Sequence, residues 1–148
     1  MDRREQILAR LADVLGTIAP TFRNRGELPD DKRPAITLLD ADELTKETPM
    51  SVGTRISIAP KFISLQPEIY IALDSRKPDN KNTGQDLNVL RVKIVKAVCL
   101  DGVLITLVGS NGRIEYNGCI TDLARNRDMA GEMGLIFAFV YIINPSEL

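Results

Sequence analysis

The chain contains no histidine. The side chain that most readily moves protons near neutral pH is therefore missing, which excludes Ser-His-Asp and Cys-His hydrolase chemistry and His-ligated zinc. There is no tryptophan, and 3 Tyr and 4 Phe are the only aromatics in 148 residues. Stacking platforms for single-stranded nucleic acid have little to build on. An excess of one charge is also lacking: 19 Lys and Arg against 20 Asp and Glu leave a net of −1. Duplex binders that rely on counterion release are usually far more basic, whereas weak self-repulsion suits a subunit that must assemble. The 2 cysteines, Cys99 and Cys119, form no CxxC motif; they read as reduced thiols of a cytosolic protein. The longest apolar run, residues 135–143, is about half the length of a membrane helix. The opening MDRREQ lacks the apolar run and small-residue cleavage site of a secretory signal. The expectation is a soluble intracellular protein with no membrane contact and no cofactor.

What is present is ordinary for a globular chain: 44% apolar and 26% charged residues. The length predicts a single domain over 1–148. A helix is predicted over residues 3–18, where Ile7, Leu8, Leu11, Val14, Leu15 and Ile18 recur on one face. Asp2 and Glu5 have capping-box spacing, and Pro20 stops the helix. Residues 34–39 read as a short buried strand ending at Asp40, Asp42 and Glu43, and residues 44–53 as an exposed loop broken by Pro49 and Gly53. Alternation predicts a strand at 54–59, with residues 61–65 continuing beyond a bend at Pro60, and another strand from Ile69 to Leu73 after Pro67. Residues 75–84 are loop-like. A second amphipathic helix carries Leu87, Leu90, Ile94, Val95 and Val98, with Thr83 as N-cap. Residues 103–108 fit a strand or a last helical turn. Asn111-Gly112 and Asn117-Gly118 read as hairpin dipeptides around a strand with Ile114, Tyr116 and Ile120. Residues 124–134 form a polar loop, and residues 135–144 a strand apolar on both faces, hence central. Together these predict α+β: a mainly antiparallel sheet with two amphipathic helices packed on it.

Few residues offer chemistry. Asp40, Asp42 and Glu43 are candidate metal carboxylates, but no companion ligand loop exists, and solvated strand-end acids are the common case. Gly109, Ser110, Asn111 and Gly112 match no phosphate-loop pattern and fit a turn. Asp122, Arg125, Arg127 and Asp128 are either a solvated loop or charges that pair across a subunit contact. Arg23, Arg25, Lys32 and Arg33 are the densest basic cluster, offset by Glu27, Asp30 and Asp31. They are either a solvated loop or a contact for a phosphate or an acidic partner. No catalytic set is present, so an enzyme is not expected.

The string REQILARLADVL…TFRNRGELPDDKRPAITLLDADE, residues 4–43, resembles the start of tail terminator (tail-to-head joining) proteins of long-tailed bacteriophages. The later order is similar: a polar loop, the two-stranded TRISIAPKFISLQPEIYIALDSR, the helix NTGQDLNVLRVKIVKAVC and the closing strand GLIFAFVYII. The resemblance implies a structural virion protein without catalytic residues. It would form a ring, typically a hexamer, at the head-proximal end of the tail. Its partners would be other copies of itself, the tail tube protein and the head connector, with duplex DNA passing through unread and no small-molecule substrate. It would stop tube growth and offer the head a docking surface. The competing readings are another neck or head completion protein, a small enzyme acting through Asp or Lys, and a monomeric ligand-binding module. A ring needs two complementary faces per subunit. The charge pattern predicts that residues 22–33 of one subunit approach residues 40–53 of the next, or of the tube. Arg23, Arg25 and Arg33 would face Asp40, Asp42 and Glu43, with Phe22, Leu28 and Met50 as apolar anchors. The loops at residues 42–53 and 75–84 are expected to order only in the assembly.

Overall fold

The first helix, α1 (Arg3–Gly16), buries Ile7, Leu8, Leu11, Val14 and Leu15 on one face. Each such side chain contributes ~1.5–3 kcal/mol when fully buried, so this face holds the helix down. Asp2 caps it, accepting the Glu5 N–H at 2.8 Å as the capping-box spacing predicts. The structure is a computed structural model that describes residues 2–26, 34–46, 60–73, 83–121 and 131–144.

Five strands follow in one sheet: β1 (Thr21–Arg23), β2 (Ala35–Lys46), β3 (Lys61–Ala72), β4 (Arg113–Thr121) and β5 (Glu132–Ile143). Their spatial order is β1-β2-β3-β5-β4; β1 runs parallel to β2 and every other pair is antiparallel. The architecture is α+β, and the sheet is mainly antiparallel, as the patterning predicts. The apolar run at β5 is central, paired with β3 and β4. Among the described residues there are three helices where two were expected: α2 (Thr83–Cys99) is followed by α3 (Gly102–Val108). Asp101 decides the ambiguous segment for helix. Its carboxylate accepts the Leu104 N–H at 2.9 Å, and Gly109 at φ +83° ends the helix. No helix among the described residues is long and apolar enough to cross a membrane.

The helices pack on one face of the sheet. Ile7, Leu11, Ile94, Val98 and Leu104 share a core with Leu65, Ile69, Phe137, Phe139 and Tyr141. The even-numbered residues of β5 point to the other, helix-free face.

Two β-bulges correct the strand readings. Leu39 pairs with Glu68, but the next matched pair is Asp42 with Gln66. Asp40 and Ala41 therefore stand across from Pro67 alone, and the strand passes through the acids to Lys46 instead of ending at residue 39. Residues 42–46 of the predicted loop are therefore strand. β3 likewise runs unbroken through Pro67, in one register with β5 on both sides of it; its missing donor would face β5, the side to which the Leu73 N–H donates. In β4, Tyr116 pairs with Phe137 and Gly118 with Ile136. Asn117-Gly118, with Gly118 at φ +124°, is thus a bulge inside one strand and not a hairpin turn. The expected strand at 54–59 and residues 47–53, 75–82 and 124–130 of the expected loops lie outside the described residues; residues 83–84 and 132–134 of those loops belong to α2 and β5.

Gly112 sits where α3 turns into β4. A Cβ there would collide with the backbone carbonyls of Val108 and Val140. Gly112→Ala is expected to cost about 1–3 kcal/mol or more, because neither carbonyl can swing aside. Gly102→Ala, with open space around it in the first turn of α3, is expected to be neutral or slightly stabilising. Paired denaturant titrations of the two variants check this.

Candidate functional site

Of the residues singled out from the sequence, Arg23, Asp40 and Glu43 lie where α1, β1 and β2 meet. Arg23, at the end of β1, spans two carboxylates. Its Nε and Nη2 donate to Asp40 at 2.7 and 2.8 Å, and its Nη1 and Nη2 donate to Glu5 of α1 at 2.7 and 2.8 Å. The planar guanidinium makes this double fork possible, and a lysine could not replace it. The pairing lowers the pKa of Asp40 and of Glu5, in each case chiefly through the Arg23 hydrogen bonds, and raises that of Arg23.

The bulge lies inside this frame. Ala41 adopts φ +45° and Asn24 φ +57°, conformations uncommon for residues other than glycine. The polar groups freed by the bulge are met by side chains: the Asp40 N–H donates to Asn24 Oδ1 at 3.0 Å, and Arg4 Nη2 donates to the Ala41 carbonyl at 3.0 Å. Beyond the bulge the strand faces are exchanged. Glu43 turns inward, accepting from Arg4 at 3.3 Å and from the Tyr141 hydroxyl at 3.4 Å. Burial pushes the Tyr141 hydroxyl pKa up, and the Glu43 charge adds to it, so the phenol stays a neutral donor. Asp42 points to the helix-free face and is exposed. A second arginine fork, Arg10 on Asp101 at 2.7 and 3.0 Å, ties α1 to the cap of α3 and lowers the Asp101 pKa.

The structure thus brings Arg23 and Asp40 together within one chain, where the sequence reading set them across a subunit boundary. Arg25 is exposed and lies over the half-buried Phe22 ring at 5.3 Å. Arg33 and Met50, with Lys32 and Leu28, lie outside the described residues. Asp40, Asp42 and Glu43 diverge and form no shared ligand set; among the described residues no group of three or more His, Cys, Asp or Glu is placed to hold a metal ion. Gly109 to Gly112 form a turn closed by the Gly112 N–H on the Gly109 carbonyl at 3.1 Å. Sequence reasoning missed the pairings of Glu5, Arg4, Asn24 and Tyr141, whose partners lie 16 to 98 residues away along the chain. Asp101 carried a local signal, an N-cap residue three positions before Leu104.

Removing the Arg23 side chain should leave two carboxylates facing each other. Arg23→Ala is expected to cost about 1–3 kcal/mol, between an exposed pair at ~0–1 and a charge-assisted bond at ~1.5–3. Arg23→Lys should recover only part of it. The lowered acids contribute stability that is present above the ordinary carboxylate range of ~3.9–4.3 and is lost as pH falls through their lowered folded values. The parent should therefore lose stability more steeply than Arg23→Ala below about pH 4, so that the two converge in acid. Urea unfolding from pH 7 to pH 2.5 measures both.

Comparison of the chain with protein-family models and with curated proteins finds no match.

Proposed function

We propose that the chain is a structural subunit of a bacteriophage tail, similar to tail terminators. In this reading copies of it close into a ring, a hexamer in the family it resembles, at the head-proximal end of the tail. The ring ends tube polymerisation and gives the head connector a surface to dock on, and duplex DNA passes through it without being read. The subunit is made in the host cytoplasm and ends in the virion.

What supports the reading is the order of elements. An N-terminal helix leads through a short strand to the acid-bearing β2, then to β3, to a second helix, and to a closing apolar strand at the centre of the sheet. The resemblance implies this order, with a two-stranded segment where the described residues hold β3; α3 and β4 stand in addition to it. The charged groups of the candidate site fit a structural role as well. Glu5, Asp40 and Asp101 are each held by an arginine that lowers the carboxyl pKa, which keeps them as fixed anions and not as proton carriers near neutral pH. The outward-facing remainder of the expected contact, Phe22 with Arg25 stacked on it, is assigned to the tube or the connector, where aromatic and arginine side chains serve as anchors.

The test uses a tail tube protein, sought among the genes neighbouring this one, under conditions in which it polymerises without limit by itself. Adding the chain should stop growth and leave a ring at one tube end in negative-stain images. Arg25→Glu should raise the concentration needed for capping by about tenfold, equivalent to ~1.4 kcal/mol, with an unchanged melting temperature. Tubes of equal length with and without the chain would overturn the reading. Turnover of a small substrate, abolished by one Asp→Asn or Lys→Ala change, would favour an enzyme instead.

A further inference from the structure

The exposed large apolar side chains among the described residues fall on only two surfaces. Leu44, Tyr70, Ile120 and Ile136 lie on the helix-free face of the sheet, and the others lie on α2, on α3 and at Leu100 between them. Scattered exposed apolar residues are normal; segregation onto two faces is informative.

The sheet side is a groove of about 400 Å³. Its floor is set by register. Tyr70, Gly134 and Ile120 form one row across β3, β5 and β4, and Glu68, Ile136 and Gly118 form the next. Gly134 has no side chain, and the Tyr70 ring covers it, 3.1 Å from where a Cβ would stand. The bulge at Gly118 turns Ile120 to this face. The polar pair in the groove is already satisfied, with the Tyr70 hydroxyl donating to Glu68 at 2.9 Å. A small ligand would find few convergent polar groups to orient it. Asp42 stands opposite Gln66, one strand over and one step along from Glu68, so the groove has an acidic edge.

The helix side is its complement. Val89 and Val92 of α2 are 47% and 41% exposed, and Lys93 and Lys96 continue the same surface. Among the described residues no ion pair engages either lysine. The lysines are three positions apart, neighbours on a helix at ~5–6 Å, comparable to the ~7–8 Å diagonal between Asp42 and Glu68 on adjacent strands. An apolar ridge flanked by cations thus faces away from one side of the subunit, and an apolar groove edged by anions from the other.

We propose that α2 of one copy seats in the helix-free sheet groove of the next, Val89 and Val92 on Tyr70, Ile120 and Ile136, with Lys93 and Lys96 opposite Asp42 and Glu68. The two surfaces differ and lie on opposite layers, so the contact is heterologous and repeats head to tail, closing into a ring. This deepens the ring reading by naming the subunit contact.

Two variants test it. Lys93→Glu with Lys96→Glu sets acid against acid, and Asp42→Lys with Glu68→Lys sets base against base. Sedimentation velocity should find the parent assembled and each variant alone near 16.4 kDa, with unchanged circular dichroism. An equimolar mixture should reassemble, because every contact in an alternating ring again joins opposite charges. As a check independent of charge, Val92→Cys and Ile136→Cys, each in a Cys119→Ser background, should form a disulfide-linked dimer on oxidation only when mixed. A parent that stays monomeric, charge variants that assemble like the parent, a mixture that remains monomeric, or no crosslink in the mixture would each overturn the contact. Tube capping separates the two readings. Capping by a mixture that fails to reassemble removes this contact and leaves the tail role, while reassembled rings that do not cap remove the tail role and leave the contact.

Discussion

The bulge in β2 is the constraint from which much of the structure follows. Asp40 and Ala41 stand across from Pro67 of β3 alone, two residues against one. The extra residue exchanges the faces of everything after it. Before the bulge Ile36 and Leu38 point into the core; after it Glu43 points inward and Asp42 outward. A carboxylate then sits at the edge of the core, where it needs a cation and a hydrogen-bond donor. Arg4 and Tyr141 supply them.

The arginines of α1 and β1 are therefore fasteners of a bent strand. Arg4 holds the bulge carbonyl, and Arg23 holds the Asp40 side chain at its start. Arg10 does the same for the turn into α3. None of the four ion pairs these arginines make is deeply buried: side-chain exposures run from 12% for Asp101 to 41% for Glu5. Their contribution is mainly to fix where α1 sits over the sheet edge, while the burial of Leu8, Leu11 and Leu15 supplies most of its free energy.

Local patterns in the sequence carried the fold class, α1, α2 and the central position of β5, because helix and strand periods show within a dozen residues. The bulges were not legible. Asn117-Gly118 has the composition of a hairpin turn, and only the unbroken pairing of β4 with β5 on both sides of it shows a bulge. Ile114, Tyr116 and Ile120 were legible as strand residues, but their faces were not: the bulge places Ile120 on the face opposite Ile114 and Tyr116. The acids at 40–43 were legible as a charged cluster, but their partners depend on tertiary placement. An arginine that neutralises its neighbour inside a chain looks the same in sequence as one that reaches for another molecule.

That distinction separates two electrostatic systems in the subunit. The arginine forks hold their carboxylates through direct, bidentate hydrogen bonds at 2.7 to 3.0 Å, where salt screening acts weakly. The remaining exposed charges, Asp42 and Glu68 on one side and Lys93 and Lys96 on the other, act across solvent, and at physiological salt a Debye length of ~8 Å shields them. They govern orientation and approach more than affinity. A chain with a net charge of −1 can still carry local charge of opposite sign on opposite layers, as Asp42 and Glu68 stand against Lys93 and Lys96. The frame of the subunit therefore stays fixed while contacts between exposed charges respond to ionic strength. Such a division suits a part that must fold first and associate later.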